Sequence, residues 1–409
     1  MKISKLRAII LCVLVLFIVS ACAQQEKKAK YVFLFIGDGM GFSHVALTEG
    51  YLATKEGKIG SNPLRFTQFP VMGMATTYSA SNYITCSSAA GTALSTGTKT
   101  KNHMLGMAPD SSKLKSISYK IHEAGIPVGI MTSVTIDHAT PASFYGHSSA
   151  RSDYYGIAAE LPLSGFEYFA GGGFEGVKDE RNNVKSLYDI VADNGYTVAY
   201  GLDDYNAKKV SAKKVILFQE KGKENNILPY VMDRTEKDLT LPQIVGEAVD
   251  FLGTQNGFFI MAEGGKIDWA AHSNDVAGTI FETLDMDAAI EIAYQFYLKH
   301  PNETLIVVTA DHETGGVSLG RTAGYNFDLS VIPSPVGHST GVEATVDTYM
   351  DGNIADTLSK KAMIGWTTSS HTGGAVPVFA IGAGSSNFAG RMDNTDIPRK
   401  ICKSMGVQF

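Results

Sequence analysis

Four cysteines in 409 residues are too few to staple this chain together. Cys12 and Cys22 fall near the N-terminus, leaving Cys86 and Cys402 for the part that folds. A Cys86–Cys402 bridge is conceivable, but nothing in the sequence supports it. The fold must rest on a packed core rather than a disulfide framework. A basic excess is also missing. Lys and Arg total 35 against 41 Asp and Glu, for a formal net charge of −6. That argues against non-specific nucleic-acid binding, which needs a basic face. No apolar run is long enough for an ordinary membrane span. Ala8–Val19 stops at twelve residues, where a spanning helix needs about 20. The 42 glycines are scattered without a period, so collagen-like and low-complexity readings are excluded, and the sequence shows no internal repeat. What is plentiful is apolar content, 44% of the chain, enough for one large core.

The first residues read as an export signal. Lys2, Lys5 and Arg7 precede the Ala8–Val19 run, and "VSAC" (Val19–Cys22) follows it. Small residues leading into a cysteine resemble a bacterial lipobox. The expectation is a signal peptide over 1–21, lipidation of Cys22 and a polar tether over 22–30. Acyl chains contribute about 0.8 kcal/mol per buried CH₂, so several together anchor a protein to a membrane. Losing residues 1–21 removes three positive charges and no negative ones, taking the net charge from −6 to −9.

Beyond the tether, continuous apolar runs recur. They are Tyr31–Gly37, Val128–Ser133, Thr197–Leu202, Val215–Phe218, Phe258–Glu263, Thr304–Ala310 and Ala375–Gly382. Runs without polar alternation suit strands buried on both faces, as in parallel sheets. Helix-like stretches such as Ser186–Gly195 and Gly278–His300 lie between them. The alternation predicts an α/β fold with a largely parallel central sheet and helices on both faces. Residues 31–409 read as one domain, with irregular excursions near 208–238 and 318–360.

Ligands of open α/β sheets bind outside the carboxyl ends of the strands. Those ends carry Asp38 after the first run, Glu263, Asp268 and His272 after "FFIMA", and Asp311 and His312 after "TLIVVTA". His371 precedes the last run. Asp268 and His272 are four apart and share a helix face. A lone Asp after a strand is usually a helix cap, and a lone His is usually a bonded core residue. Their coincidence at one edge is different. Unpaired carboxylates crowded together would repel and raise each other's pKa. Nitrogen and carboxylate donors with an open position describe catalytic zinc.

Six blocks in order carry a closer resemblance: "IGDGMG", "SSAAGTALSTG", "HATPA…R", "EGGKIDWAAH", "TADHETGG" and "HTGG". Together, from Val32 to Gly382, they resemble the alkaline phosphatase family. That resemblance implies hydrolysis of phosphate monoesters at two zinc ions and one magnesium ion. Asp268, His272 and His371 would hold the first zinc, and Asp38, Asp311 and His312 the second. Asp38 would reach the magnesium together with Thr140 and Glu263. Ser87 would be the nucleophile and Arg151 the phosphate-binding fork. A homodimer is a further family expectation.

Three positions depart from the common pattern. Cys86 stands where the family commonly has the aspartate that steadies the arginine, so a mobile Arg151 and weaker phosphate retention are expected. His138 and Trp269 replace an aspartate and a lysine found in some members. His138 could ligate the third metal or stand behind it, which leaves that metal's identity open. Ser88 has the wrong offset from Gly91–Thr92 to replace Ser87. His44, His103, His122, His147, His300 and His338 read as structural or surface residues, and Glu313 and Asp275 as ordinary hydrogen-bonding groups. A phosphodiesterase or sulfatase on the same scaffold is the enzymatic alternative. Arg151 with Thr140 and Glu263 weighs against the first, and the missing C-x-P-x-R context against the second. A non-catalytic phosphate- or metal-binding lipoprotein would not need the intact Ser87 block.

Overall fold

The computed structural model describes residues 28–177, 185–220, 226–333 and 352–409. The 1–21 signal, Cys22, most of the 22–30 tether, His338 and the middle of the 318–360 excursion lie outside the described residues.

The strands are, in chain order, Tyr31–Gly37 (β1), Val71–Thr76 (β2), Val128–Thr132 (β3), Tyr168–Gly171 (β4), Thr197–Tyr200 (β5), Val215–Phe218 (β6), Phe258–Gly264 (β7), Thr304–Thr309 (β8), Glu313–Thr314 (β9), Val317–Leu319 (β10), Ile364–Trp366 (β11), His371–Thr372 (β12), Val376–Gly382 (β13) and Gly390–Asp393 (β14). Ten of them form one sheet in the order β14-β2-β13-β8-β1-β7-β3-β4-β6-β5. β1, β7 and β8 are buried at every position. That is why their sequences are predominantly apolar rather than alternating, with Glu263, Thr304 and Thr309 the polar exceptions.

Neighbours in this sheet pair in parallel, except around β13. β13 runs antiparallel to both β8 and β2, with Phe379 opposite Val308 and Gly382 opposite Leu305. Its reversal places its N-terminal end beside the C-terminal end of β8. His371, five residues before Val376, therefore reaches the edge where Asp38, Asp268 and Asp311 emerge.

Two helix groups cover the sheet. Phe42–Lys55 (α1), Leu241–Leu252 (α4), Lys266–His272 (α5) and Val276–Lys299 (α6) pack together on one side. Ser87–Thr96 (α2) and Asp396–Met405 (α7) pack together on the other, while Leu187–Asp193 (α3) lies beside β5. α6 starts two residues before the expected Gly278, because the Asp275 carboxylate accepts the N–H groups of Ala277 and Gly278. β5 ends at Tyr200, short of the expected Leu202, where Gly201 (φ 72°) turns the chain into a helix. Within the 208–238 excursion, β6 belongs to the main sheet. Gln219 closes the base of the remainder, donating to Asp238 at 2.8 Å and accepting from the Leu239 N–H at 3.1 Å. Cys86 and Cys402 are both free thiols.

Candidate active site

Five adjacent central strands, β13-β8-β1-β7-β3, bring polar residues to one sheet edge. Asp38 follows β1, and Gly39 (φ 74°) then turns the chain sharply. A Cβ on Gly39 would come within 2.9 Å of both the Asp268 Cα and the Thr314 Oγ1, so only glycine fits that approach. The Gly39 N–H donates to Asp311 Oδ1 at 3.1 Å, tying the β1 and β8 ends together.

Two imidazoles and a carboxylate meet at one side. His272 donates from Nδ1 to the Ser369 carbonyl at 2.7 Å, and His371 from Nδ1 to the Thr85 carbonyl at 2.9 Å. A carbonyl only accepts, so each neutral ring is left with a lone pair on Nε2. Those two Nε2 atoms face each other at 3.2 Å. Asp268 lies 3.3 Å from one and 3.6 Å from the other. Converging lone pairs and a carboxylate lack a positive partner, and this donor set fits zinc. Asp268, His312 and His371 also lie within one ligand-sized cluster, and the His312 and His371 rings stack at 3.6 Å.

A second cluster joins Asp38, Asp311 and His312. His312 Nε2 is 3.4 Å from Asp38 Oδ1 and 3.2 Å from Asp311 Oδ2. A third joins Asp38, His138 and Glu263. Thr140 donates to Asp38 Oδ2 at 3.4 Å, and Thr132 donates a short bond to Glu263 Oε2. The buried oxygens Asp38 Oδ1, Glu263 Oε1 and Asp311 Oδ2 have no hydrogen-bond donor. Orphaned buried carboxylate oxygens of this kind fit bound cations.

The electrostatics agree. Burial, reinforced by the Asp311 charge, pushes Asp38 well above the usual carboxylate range. Burial likewise raises Asp311 to about 8 and Glu263 to about 7. Asp268 goes the other way: burial opposes its charge, but its contact with His272 outweighs that and holds it below the usual carboxylate range. Burial and the adjacent His371 hold His312 neutral.

Ser87 opens α2, with Cys86 at the N-cap giving no side-chain cap. Ser87 Oγ lies 3.2 Å from His312 Nε2 and 3.5 Å from Arg151 Nη1. The small residues after it allow close packing: a Cβ on Gly91 would sit 2.7 Å from Ser143 Oγ. Ser88 is fully buried, with its hydroxyl 3.1 Å from Cys86 Sγ. Cys86 Sγ also accepts from the His103 N–H at 3.1 Å, so the thiol is engaged with Ser88 and His103. Arg151 has a different neighbour. Its Nη2 donates to His138 Nε2 at 3.2 Å, and the Trp269 ring meets His138 edge-on at 5.8 Å. Burial and Arg151 lower His138 to about 3, so it is a neutral acceptor. His138 Nδ1 is buried without a partner.

Among the described residues, His44, His122, His147 and Glu313 find local partners. Gly41 donates to His44 Nδ1 at 3.1 Å, and His122 and His147 meet Glu167 and Glu160 at 3.1 and 2.7 Å. Glu313 accepts from Gly316, Val317 and Thr372. Sequence reasoning missed the neutral residues around the cluster. Thr132 holds Glu263, and Thr314 touches both Asp268 and His312. Asn102 braces the segment before Ser87 through Ile84 O and the Cys86 N–H. Thr314 lies inside the "TADHETGG" block, but a threonine there carries no charge signal.

Stripping the cations gives a testable pH dependence. Asp311 and Glu263 rise from ordinary values of 3.8 and 4.5 to about 8 and about 7 in the fold. Between those values the metal-free fold keeps protons that the unfolded chain has released. Its stability therefore falls as pH rises through this window. The melting temperature of EDTA-stripped protein should drop by several degrees from about pH 5 to about pH 8, at roughly 2 °C per kcal/mol. Metal-loaded protein should stay nearly level. Parallel melting curves for the two forms would contradict the cation account.

A family model described as alkaline phosphatase matches residues 29–167 and 178–407. Alkaline phosphatase 3 of Bacillus subtilis is 32% identical over 437 residues, covering 94% of this chain and 92% of that protein. The alkaline phosphatase of the Antarctic bacterium TAB5 matches the structure with a TM-score of 0.77 at 31% identity, over 94% of this chain and 100% of that one. The cold-active enzyme of Shewanella sp. matches at 0.79 and 29% identity, over 92% and 99%. A histidine-to-glutamate variant of the Antarctic enzyme has magnesium bound in its M3 site. The chain belongs to the alkaline phosphatase family of metal-dependent phosphomonoester hydrolases.

Proposed function

We propose that this chain is an exported, lipid-anchored phosphatase that hydrolyses phosphate monoesters through a covalent phosphoserine on Ser87. The observation that carries the reading is Ser87 Oγ at the start of α2, 3.2 Å from His312 Nε2 and 3.5 Å from Arg151 Nη1. Asp268, His272 and His371 would hold one zinc ion, and Asp38, Asp311 and His312 a second. Asp38, Thr140 and Glu263 would hold a magnesium ion, with His138 close by. The orphaned oxygens Asp38 Oδ1 and Glu263 Oε1 support a divalent ion at the Asp38–His138–Glu263 cluster. Bound there, the ions supply Lewis-acid stabilisation of the attacking and leaving oxygens.

The chain's own groups do the rest. Ser87 Oγ gives up its proton to solvent and forms a bond to phosphorus as the ester P–O bond breaks, and the departing alkoxide takes a proton from solvent to leave as the alcohol. Water then attacks phosphorus, restoring the serine hydroxyl and releasing inorganic phosphate. The first-turn N–H groups of α2, uncapped by Cys86, face the anionic phosphoryl oxygens. Arg151 offers its planar fork to two of them. Export and anchoring rest on the Lys2–Arg7 charges, the Ala8–Val19 run and Cys22.

Four experiments test this reading. Wild type should turn over para-nitrophenyl phosphate in an EDTA-sensitive way, and Ser87→Ala should lose at least about 10³-fold. A phosphoryl group should be trapped on the Ser87 peptide after acid quenching. Undiminished turnover by Ser87→Ala would remove the phosphoserine step. Cys86→Asp should tighten phosphate inhibition about tenfold, a hydrogen bond to a charged group being worth roughly 1.5 kcal/mol. An unchanged or weaker inhibition constant would show that His138 already serves Arg151 fully. Cys22→Ser should move the protein from the membrane fraction to the soluble fraction. Retention in the membrane would refute the anchor.

A further inference from the structure

We propose that Thr314 is a positioning residue that couples the two zinc sites by locking His312 against Asp268. This rests on the ligand reading given above. Thr314 sits on β9 and is fully buried. Its N–H donates to the Gly39 carbonyl at 3.1 Å, next to Asp38, and its backbone lies opposite His371 in the β9–β12 ladder. The side chain is thus fixed between the ends of β1 and β12. Its hydroxyl lies 2.5 Å from Asp268 Oδ1 and 3.2 Å from His312 Nδ1.

Counting protons fixes the arrangement. A threonine hydroxyl has one proton to give. Ionised Asp268 can only accept, so that proton goes to Oδ1. The Thr314 oxygen then presents a lone pair to His312 Nδ1, which must carry its own proton. His312 Nε2 is left as the lone-pair nitrogen. It points at Asp38, Asp311 and Ser87, at 3.4, 3.2 and 3.2 Å. One hydroxyl therefore orients a carboxylate of the first set and selects the ligating nitrogen of the second. His272 and His371 have backbone carbonyls for this purpose. His312 relies on a side chain, which makes Thr314 replaceable and the coupling testable.

Thr314→Val keeps the shape and removes the hydroxyl, while Thr314→Ser keeps the hydroxyl. In zinc-loaded protein, two quantities are read: zinc retention against a competing chelator, and the His312 Nδ1–H resonance, assigned by its loss in His312→Gln. Thr314→Val should weaken retention of both zinc ions by about 10- to 100-fold. It should also shift the Nδ1–H resonance and speed its exchange with water. Thr314→Ser should stay within about threefold of wild type. Retention of both ions at the wild-type level by Thr314→Val overturns the proposal, and so does loss of one ion alone. If Thr314→Val does not fold, wild type decides: a His312 Nδ1–H that exchanges freely with water overturns the proposal. Neither readout needs turnover. Wild type that holds two zinc ions but hydrolyses no ester would defeat the catalytic step and leave this coupling standing. Wild type that holds no zinc would defeat the ligand reading itself.

Discussion

Like charge held out of water is the constraint on which this structure turns. Asp38, Glu263 and Asp311 are fully buried at one edge of the sheet, and each keeps an oxygen without a donor. Left alone they repel, and burial drives them toward the protonated form. A fold that assembles such a cluster needs compensating positive charge in the middle of it. The geometry around the cluster follows from that need. Gly39 lets two strand ends approach, and carbonyls of Thr85 and Ser369 orient His371 and His272. Buried Thr132 and Thr314 donate to Glu263 and Asp268.

The sheet makes this convergence cheap in backbone terms. Parallel strands send their carboxyl ends the same way, so Asp38, Glu263 and Asp311 need no special loops to meet. The reversed β13 supplies the remaining imidazole by bringing its N-terminal approach, with His371, to the same edge. Around Ser87 and Arg151 the chain departs from the family pattern expected from its sequence. The Cys86 thiol is occupied by Ser88 and His103, while Arg151 leans on the neutral His138, itself set against Trp269. The expectation of an arginine without a charged partner at Cys86 thus acquires a structural counterpart: an uncharged acceptor from a different segment.

Much of this was legible in the sequence, for identifiable reasons. β1, β7 and β8 announce themselves because strands buried on both faces are largely apolar without alternation. β2 did not, because Met72 and Met74 are exposed on a strand that also carries Gly73. β4 has only four residues, ending in Ala and Gly. Asp and His at strand ends stand out by type, so the charged part of the site could be gathered before any coordinates. Thr132, Thr314 and Asn102 could not. Threonine and asparagine at strand ends and turns have common structural uses, and only their contacts in the fold separate them from that background. The contact between His138 and Arg151 was equally out of reach, since a separation of thirteen positions gives no hint of which way either side chain turns.

The central claim is that cations neutralise the buried acids, and metal analysis of the purified chain tests it most directly. Elemental analysis combined with native mass spectrometry, on protein prepared without chelators, reads the ions held per folded chain. The account predicts two zinc ions and a further divalent ion per chain. Folded, active protein at alkaline pH with less than one metal ion per chain would contradict it.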